Sequence, residues 1–208
     1  MKELTINSIE VQNEGVICCK SAFYSVQDEL STDSSYNFSK CVNKLIGEID
    51  SGNWAISYLL SMYKYRPDDF ILFKQSNAIV NNKFIVSLDE LSESSCYMDK
   101  IYPLFSNNNS IKDIVSQGLK DNKMNYSCNE IRELFHIDIE RFNRPLTGVG
   151  NEIFKAMAAI GYCYKKEIFC FPWLSNKRFE RYYENLSNLL CILEELNKIV
   201  ILPIGVAE

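Results

Sequence analysis

Two short apolar runs, "EIFCF" at 167–171 and "KIVILP" at 198–203, bracket one long segment, "NKRFERYYENLSNLLCILEEL" at 176–196. In that segment Phe179, Tyr182, Leu186, Leu189, Leu190, Leu193 and Leu196 recur at helical spacing on one face. A strand, a long amphipathic helix and a second strand cannot pair as a hairpin. They call for a crossover, and an apolar strand at each end of it suits a sheet covered on both faces. Together with the strand–loop–helix unit earlier in the chain, this alternation argues for an α/β fold with a central, largely parallel sheet and helices against it.

The rest of the chain agrees with that frame. Residues 3–10 and 16–24 read as strands, and the serine-rich stretch 25–39 as a loop. Residues 42–48 read as a strand leading to a helix over Trp54–Tyr65, where Ile56, Leu59, Leu60 and Tyr63 share a face; "RPDD" at 66–69 stops it. "FILFK" at 70–74 and "NAIVNNKFIVS" at 77–87 suggest a hairpin with Asn81 and Asn82 at its turn, and "SCYMD" at 95–99 a short strand. Two helices are expected within 110–136, starting at Ser110 and Asn129. "LTGVG" follows Pro145, and then an alanine-rich helix over 151–164. The expected organisation is one domain, 1–208, with its core in about 1–100 and 165–208 and a helical lobe inserted over about 101–164.

Composition removes several classes of function. The 208 residues are 47% hydrophobic, enough for a sizeable core, and the net charge is −5 with no basic run, which argues against nucleic acid as a partner. The eight cysteines, at 18, 19, 41, 96, 128, 163, 170 and 191, form no CxxC pair, and His136 is the only histidine. They read as reduced thiols of a cytosolic protein rather than a metal site or a disulfide framework. The start, "MKELTINSIEV", lacks a signal-peptide layout. The longest apolar stretch, "IVILPIGVA" at 199–207, is far too short to span a membrane, so direct insertion is not expected.

The stretch with the most chemical content is "LIGEIDSGNWAIS" at 45–57. An apolar pair, a glycine, a polar turn with a second glycine and a helix start form the outline of a loop whose N–H groups cradle phosphates. Gly47, Ser51 and Gly52 suit that outline. Asp50 brings a negative charge toward it, Asn53 stands where a lysine is needed, and Trp54 stands where a magnesium-binding hydroxyl is needed. A charge at about 4 Å in a surface-like dielectric is worth about 4 kcal/mol, so these exchanges act strongly against a triphosphate.

Read with motifs further on, the layout resembles the ATP-binding domain of ABC transporters over about residues 40–205. Gly47–Trp54 is similar to the family's phosphate loop. Cys96–Lys100 is similar to the strand that ends in its glutamine loop, with Asp99 or Lys100 at the glutamine position. "RPLTGVGNE" at 144–152 is similar to its signature before a helix. "EIFCFPWLS" is similar to the strand that ends in two carboxylates, and "KIVILPIG" to the strand that leads to a catalytic histidine. The resemblance implies a P-loop NTPase-like fold with an antiparallel N-terminal strand region and an inserted helical lobe.

It also implies what is missing. Pro172 and Trp173 follow Phe171 where the magnesium-holding and water-activating carboxylates stand, Glu180 is the nearest later carboxylate, and Ile204-Gly205 follows the last strand in place of a histidine. No catalytic residue is therefore expected. Leu146, Thr147, Gly148, Val149 and Gly150 keep more of the family pattern. In the family this turn closes the partner's ATP site across a head-to-tail dimer, although Val149 replaces a glycine and would crowd the γ-phosphate. Without a partner the same turn would be a helix cap, with Thr147 or Asn151 as capping residue. Asp99 and Lys100 lie where the family touches its permease, or else form a solvated charge pair. Trp173 would mark an exposed protein interface.

The resemblance thus implies a degenerate ATP-binding subunit paired with itself or with an active ATPase subunit. It would sit on the inner face of the membrane through a permease and serve transport of a solute such as a peptide. ATP and Mg²⁺ enter only if a partner completes the site. The alternative is a nucleotide-free scaffold or regulatory protein on the same fold; an active ATPase ranks last.

Overall fold

A computed structural model describes residues 6–13, 17–20, 27–30, 35–48, 53–65, 71–72, 76–105 and 108–206. The chain runs β1 (Ser8–Asn13), β2 (Ile17–Lys20), β3 (Gln27–Leu30), β4 (Ser35–Ser39), β5 (Val42–Ile46) and α1 (Asn53–Met62). Next come β6 (Ile71–Leu72), β7 (Ser76–Val80), β8 (Phe84–Val86), α2 (Leu88–Ser94) and β9 (Ser95–Tyr97). The helical middle holds α3 (Ile111–Asp121), α4 (Cys128–Leu134), α5 (Ile139–Phe142) and α6 (Ile153–Cys163). The chain closes with β10 (Ile168–Cys170), α7 (Asn176–Glu195) and β11 (Ile199–Ile204).

The central sheet has the order β5-β11-β10-β9, and all three pairings are parallel. Every residue of β9, β10 and β11 is buried, as strands covered on both faces require. Side chains alternate between the faces. Cys170 turns to α1, where Ser57 and Ser61 reach its thiol. Phe169 and Cys96 turn to α6, where Gly161 admits them: a Cβ at that glycine would lie 2.9 Å from the Phe169 ring and 3.1 Å from the Cys96 sulfur. Phe171 stacks obliquely on Phe154 of the same helix, with ring centroids 5.4 Å apart, and α7 packs beside α6 and against β11. The core is therefore three layers, α1 and α2 on one side and α6 and α7 on the other.

Two antiparallel sheets, β4-β1-β7-β8 and β3-β2-β6, supply the N-terminal strand region. The β7–β8 hairpin turns at Asn81 and Asn82, both in the left-handed region that asparagine tolerates. The expected loop over 25–39 is corrected: β3 and β4 lie there. In β4, Phe38 is buried opposite Ile9 of β1, and a period-two pattern sits inside a composition dominated by serine.

In the helical middle Ser110 caps α3 as expected, its hydroxyl accepting from the Asp113 N–H. The second helix starts at Ser127 instead of Asn129, because Ser127 and Glu130 form a reciprocal capping box. α6 packs on α3 as well as on the sheet, so this helix ties the helical middle to the core. Among the described residues no helix is long and apolar enough to cross a membrane.

Candidate functional site

In an open parallel sheet, ligands gather where strands end at their C-terminal edge. Here β5, β10 and β11 end together. Gly47 donates its N–H to the Ile204 carbonyl at 2.9 Å, so the exit of β5 is tied to the end of β11. Its own carbonyl accepts from the Trp173 indole N–H at 3.0 Å. Leu174 bridges to Ile204, and the Glu48 carboxylate accepts from the Val206 N–H at 3.2 Å. A cavity of about 310 Å³ opens at this edge, walled by Trp173, Glu48, Glu180, Lys177, Asn176 and Val206 among others. It sets two carboxylates against one ammonium. The Glu180 carboxylate also accepts from the Asn176 amide at 3.1 Å.

Of the expected phosphate-loop residues, Asp50, Ser51 and Gly52 lie outside the described residues. Gly47 is held as above, and Asn53 is the first residue of α1. Trp54 is buried in the core, edge-on to Tyr58 with centroids 6.3 Å apart. Its bulk therefore serves helix packing. Trp173 also departs from expectation. It is half-buried and bonded to Gly47, so it closes the sheet edge and does not stand out as an exposed interface anchor. Glu167 sits at the opposite end of β10, paired with Lys198 at 2.7 Å. Glu48, Asn176, Lys177 and Val206 did not emerge from sequence reasoning. They come from three distant segments, and only the strand register brings them together; the Ser175 cap before the "NKRFE" helix start was the one local signal.

The turn 146–150 is built differently from expectation. Leu146 and Val149 point inward and are buried, whereas Thr147, Gly148 and Gly150 are exposed. Val149 is thus an anchor of the turn, its side chain packed into the core. Neither Thr147 nor Asn151 caps α6, which begins after Glu152 with no side-chain cap. The Gly148 N–H donates to the Pro145 carbonyl at 2.8 Å. Gly150 has φ +64°, which explains the glycine; Gly148 does not, and a Cβ there would make only ordinary contacts with Arg144 at 3.5 Å.

At the end of β9 the Asp99 carboxylate accepts from the Ile101 N–H at 3.2 Å and the Asp99 carbonyl from the Tyr102 N–H, which reverses the chain. Lys100 is exposed. The two form no ion pair among the described residues, so the expected charge pair is replaced by an aspartate turn. His136 is exposed at φ 49°, where it ends α4, and no group of metal-binding side chains occurs among the described residues.

Neither a protein-family model nor a curated protein matches the sequence. Solved structures do match the fold. The putative ABC transporter ATP-binding protein from Pyrococcus furiosus superposes with a TM-score of 0.61 at 16% identity over 97% of this chain and 92% of that one. The cbiO1 protein from Clostridium perfringens, part of the ABC transporter complex cbiONQ, gives 0.59 at 13% identity over 98% and 80%. A dimeric ATP-binding cassette in a post-hydrolysis state with ADP and Pi gives 0.60 at 11% identity over 96% and 88%.

The chain has the fold of an ABC transporter ATP-binding domain.

The sheet order gives the likeness a local meaning. The four strands that resemble the motif-bearing strands of the ABC domain are β5, β9, β10 and β11, and among the described residues they make up the parallel sheet. The ends of β5, β10 and β11 meet at the edge where Gly47, Trp173 and Gly205 lie.

Proposed function

We propose that this chain is a non-catalytic ABC-type subunit that pairs with an active ATPase subunit and engages a membrane permease at the inner face of the membrane. The reading rests chiefly on Trp173. Its indole N–H bonds the carbonyl of Gly47, the first glycine of the loop, at the edge where the resemblance implies two magnesium-linked carboxylates. The cavity beside it carries Glu48 and Glu180 against Lys177, a charge balance that repels a triphosphate. Hydrolysis in this chain's own site is not part of the proposal. ATP and Mg²⁺ would act in a site that the partner completes.

The turn Thr147–Gly150 is the proposed contribution to that partner. It is exposed, anchored by two buried side chains, and carries a glycine at 148 that the backbone does not demand. Close approach of another molecule accounts for such a glycine. The solved neighbours include one dimer and one member of a transporter complex, which is consistent with pairing and with a permease.

Titration of the purified chain with Mg-ATP is expected to give no binding heat and no phosphate release. Micromolar binding with turnover by the chain alone would overturn the proposal. Affinity purification from its native cell is expected to bring down a second, intact ATPase subunit. Gly148→Ala is expected to leave the melting temperature unchanged and to lower that complex's turnover at least tenfold. If no such partner co-purifies, the nucleotide-free scaffold becomes the better account.

A further inference from the structure

α5 is four residues long, yet it controls the turn that follows it. Asp138 caps α5, its carboxylate accepting from the N–H groups of Glu140 at 2.9 Å and Arg141 at 3.3 Å. One guanidinium nitrogen of Arg141 then reaches three acceptors beyond the turn: the Asn151 side-chain carbonyl, the Val149 carbonyl at 3.4 Å and the Glu152 carboxylate at 3.7 Å. The same Glu152 carboxylate accepts from the Asp138 N–H at 3.1 Å. The ties form a closed circuit from Asp138 through Arg141 to the exit of the turn and back.

The entrance of the turn is held to α3 by a bridge between Ser110 and Pro145 and by the Ile111 N–H, which donates to the Arg144 carbonyl at 3.0 Å; at its exit the circuit supplies the side-chain polar ties among the described residues. Neither of its 3-10 segments, Leu146–Gly148 and Gly150–Glu152, has a side-chain cap, and α6 lacks one too. From below, Leu146 and Val149 hold it by apolar burial, which is strong but not directional. With the entrance held by the backbone, the exit of the turn, and with it the presentation of the exposed Thr147, Gly148 and Gly150, is set by the circuit.

We infer that Arg141, with Glu152, is a positioning residue that sets the shape of the exposed turn 147–150. The inference rests on the proposed function only for the use made of that shape; the shape itself is a property of this chain alone. The three acceptors converge on one terminal guanidinium nitrogen, which stands farther from the backbone than a lysine ammonium does, so lysine reaches only part of the set.

Amide hydrogen exchange on the isolated chain tests it. The N–H groups of Gly148 and Val149 are bonded inside the turn and report its opening. Arg141→Met keeps the aliphatic stem and removes every polar tie. It is expected to speed exchange at both amides about 10- to 100-fold, in line with loss of hydrogen bonds to a charged group, while β10 and β11 stay protected. Arg141→Lys is expected to restore only part of the protection. Unchanged exchange at Gly148 and Val149 in Arg141→Met would overturn the inference, and so would full restoration by lysine. Should Arg141→Met not fold, Asn151→Ala removes one acceptor and is read in the same way. If exchange rises but the partner complex turns over normally, the positioning role stands and the proposed use of the turn fails.

Discussion

Single side chains at the strand ends do work that their sequence positions do not announce. Trp173 joins β10 to β5 through one indole N–H. Trp173→Phe keeps an aromatic wall and loses that bond, so an unfolding free energy lower by about 1 kcal/mol in denaturant titration is expected, with no gain of Mg-ATP affinity. The cysteines separate in the same way by environment. Burial pushes the Cys163 and Cys170 thiols up to about 12, and raises Cys96 as well. The thiolate is the reactive form. At pH 8, alkylation followed by mass spectrometry is expected to mark the exposed Cys191 quickly, and Cys96, Cys163 and Cys170 only after unfolding.

Elements were legible where apolar periodicity or a local cap wrote them. α1, α3, α6, α7 and the four parallel strands follow from spacing alone. β3 and β4 did not, because serine and asparagine dilute the alternation that places Phe38 inward. α4 begins at Ser127 because Glu130 returns to its backbone, a signal present in the sequence but overlooked beside Asn129. The Glu130 carboxyl is held below the usual range, first by the Ser127 N–H and then by its hydroxyl. A depressed carboxylate stabilises above its unfolded value and ceases to do so as pH falls through the lowered one. Glu130→Gln is therefore expected to flatten the acid limb of a melting-temperature profile. Ser127→Ala is expected to cost about 1 kcal/mol. Gly161→Ala, which drives a methyl into Phe169, is expected to cost about 1–3 kcal/mol by thermal denaturation.

For the whole molecule, the fold was readable as order and spacing. The strand-end cavity was not, since it needs Glu48, Trp173 and Val206 to meet across more than half the chain. The turn at 147–150 was readable as a turn, but the inward direction of Val149 was not. Addition of millimolar Mg-ATP is expected to leave the melting temperature of the isolated chain unshifted, because a ligand raises stability only in proportion to its occupancy of the native state. The position of β11 has a further consequence. It is the latest strand among the described residues, and it stands between β5 and β10, pairing Val42–Ile46 with residues more than 150 positions away. During synthesis β5 must leave the ribosome and wait, its β11 side unpaired, until almost the whole sheet has been translated. Such long-range closure slows folding and exposes a strand edge meanwhile. A nascent chain stalled before residue 199 is accordingly expected to be a chaperone client and protease-sensitive, and release of the last strand to end both states in one step.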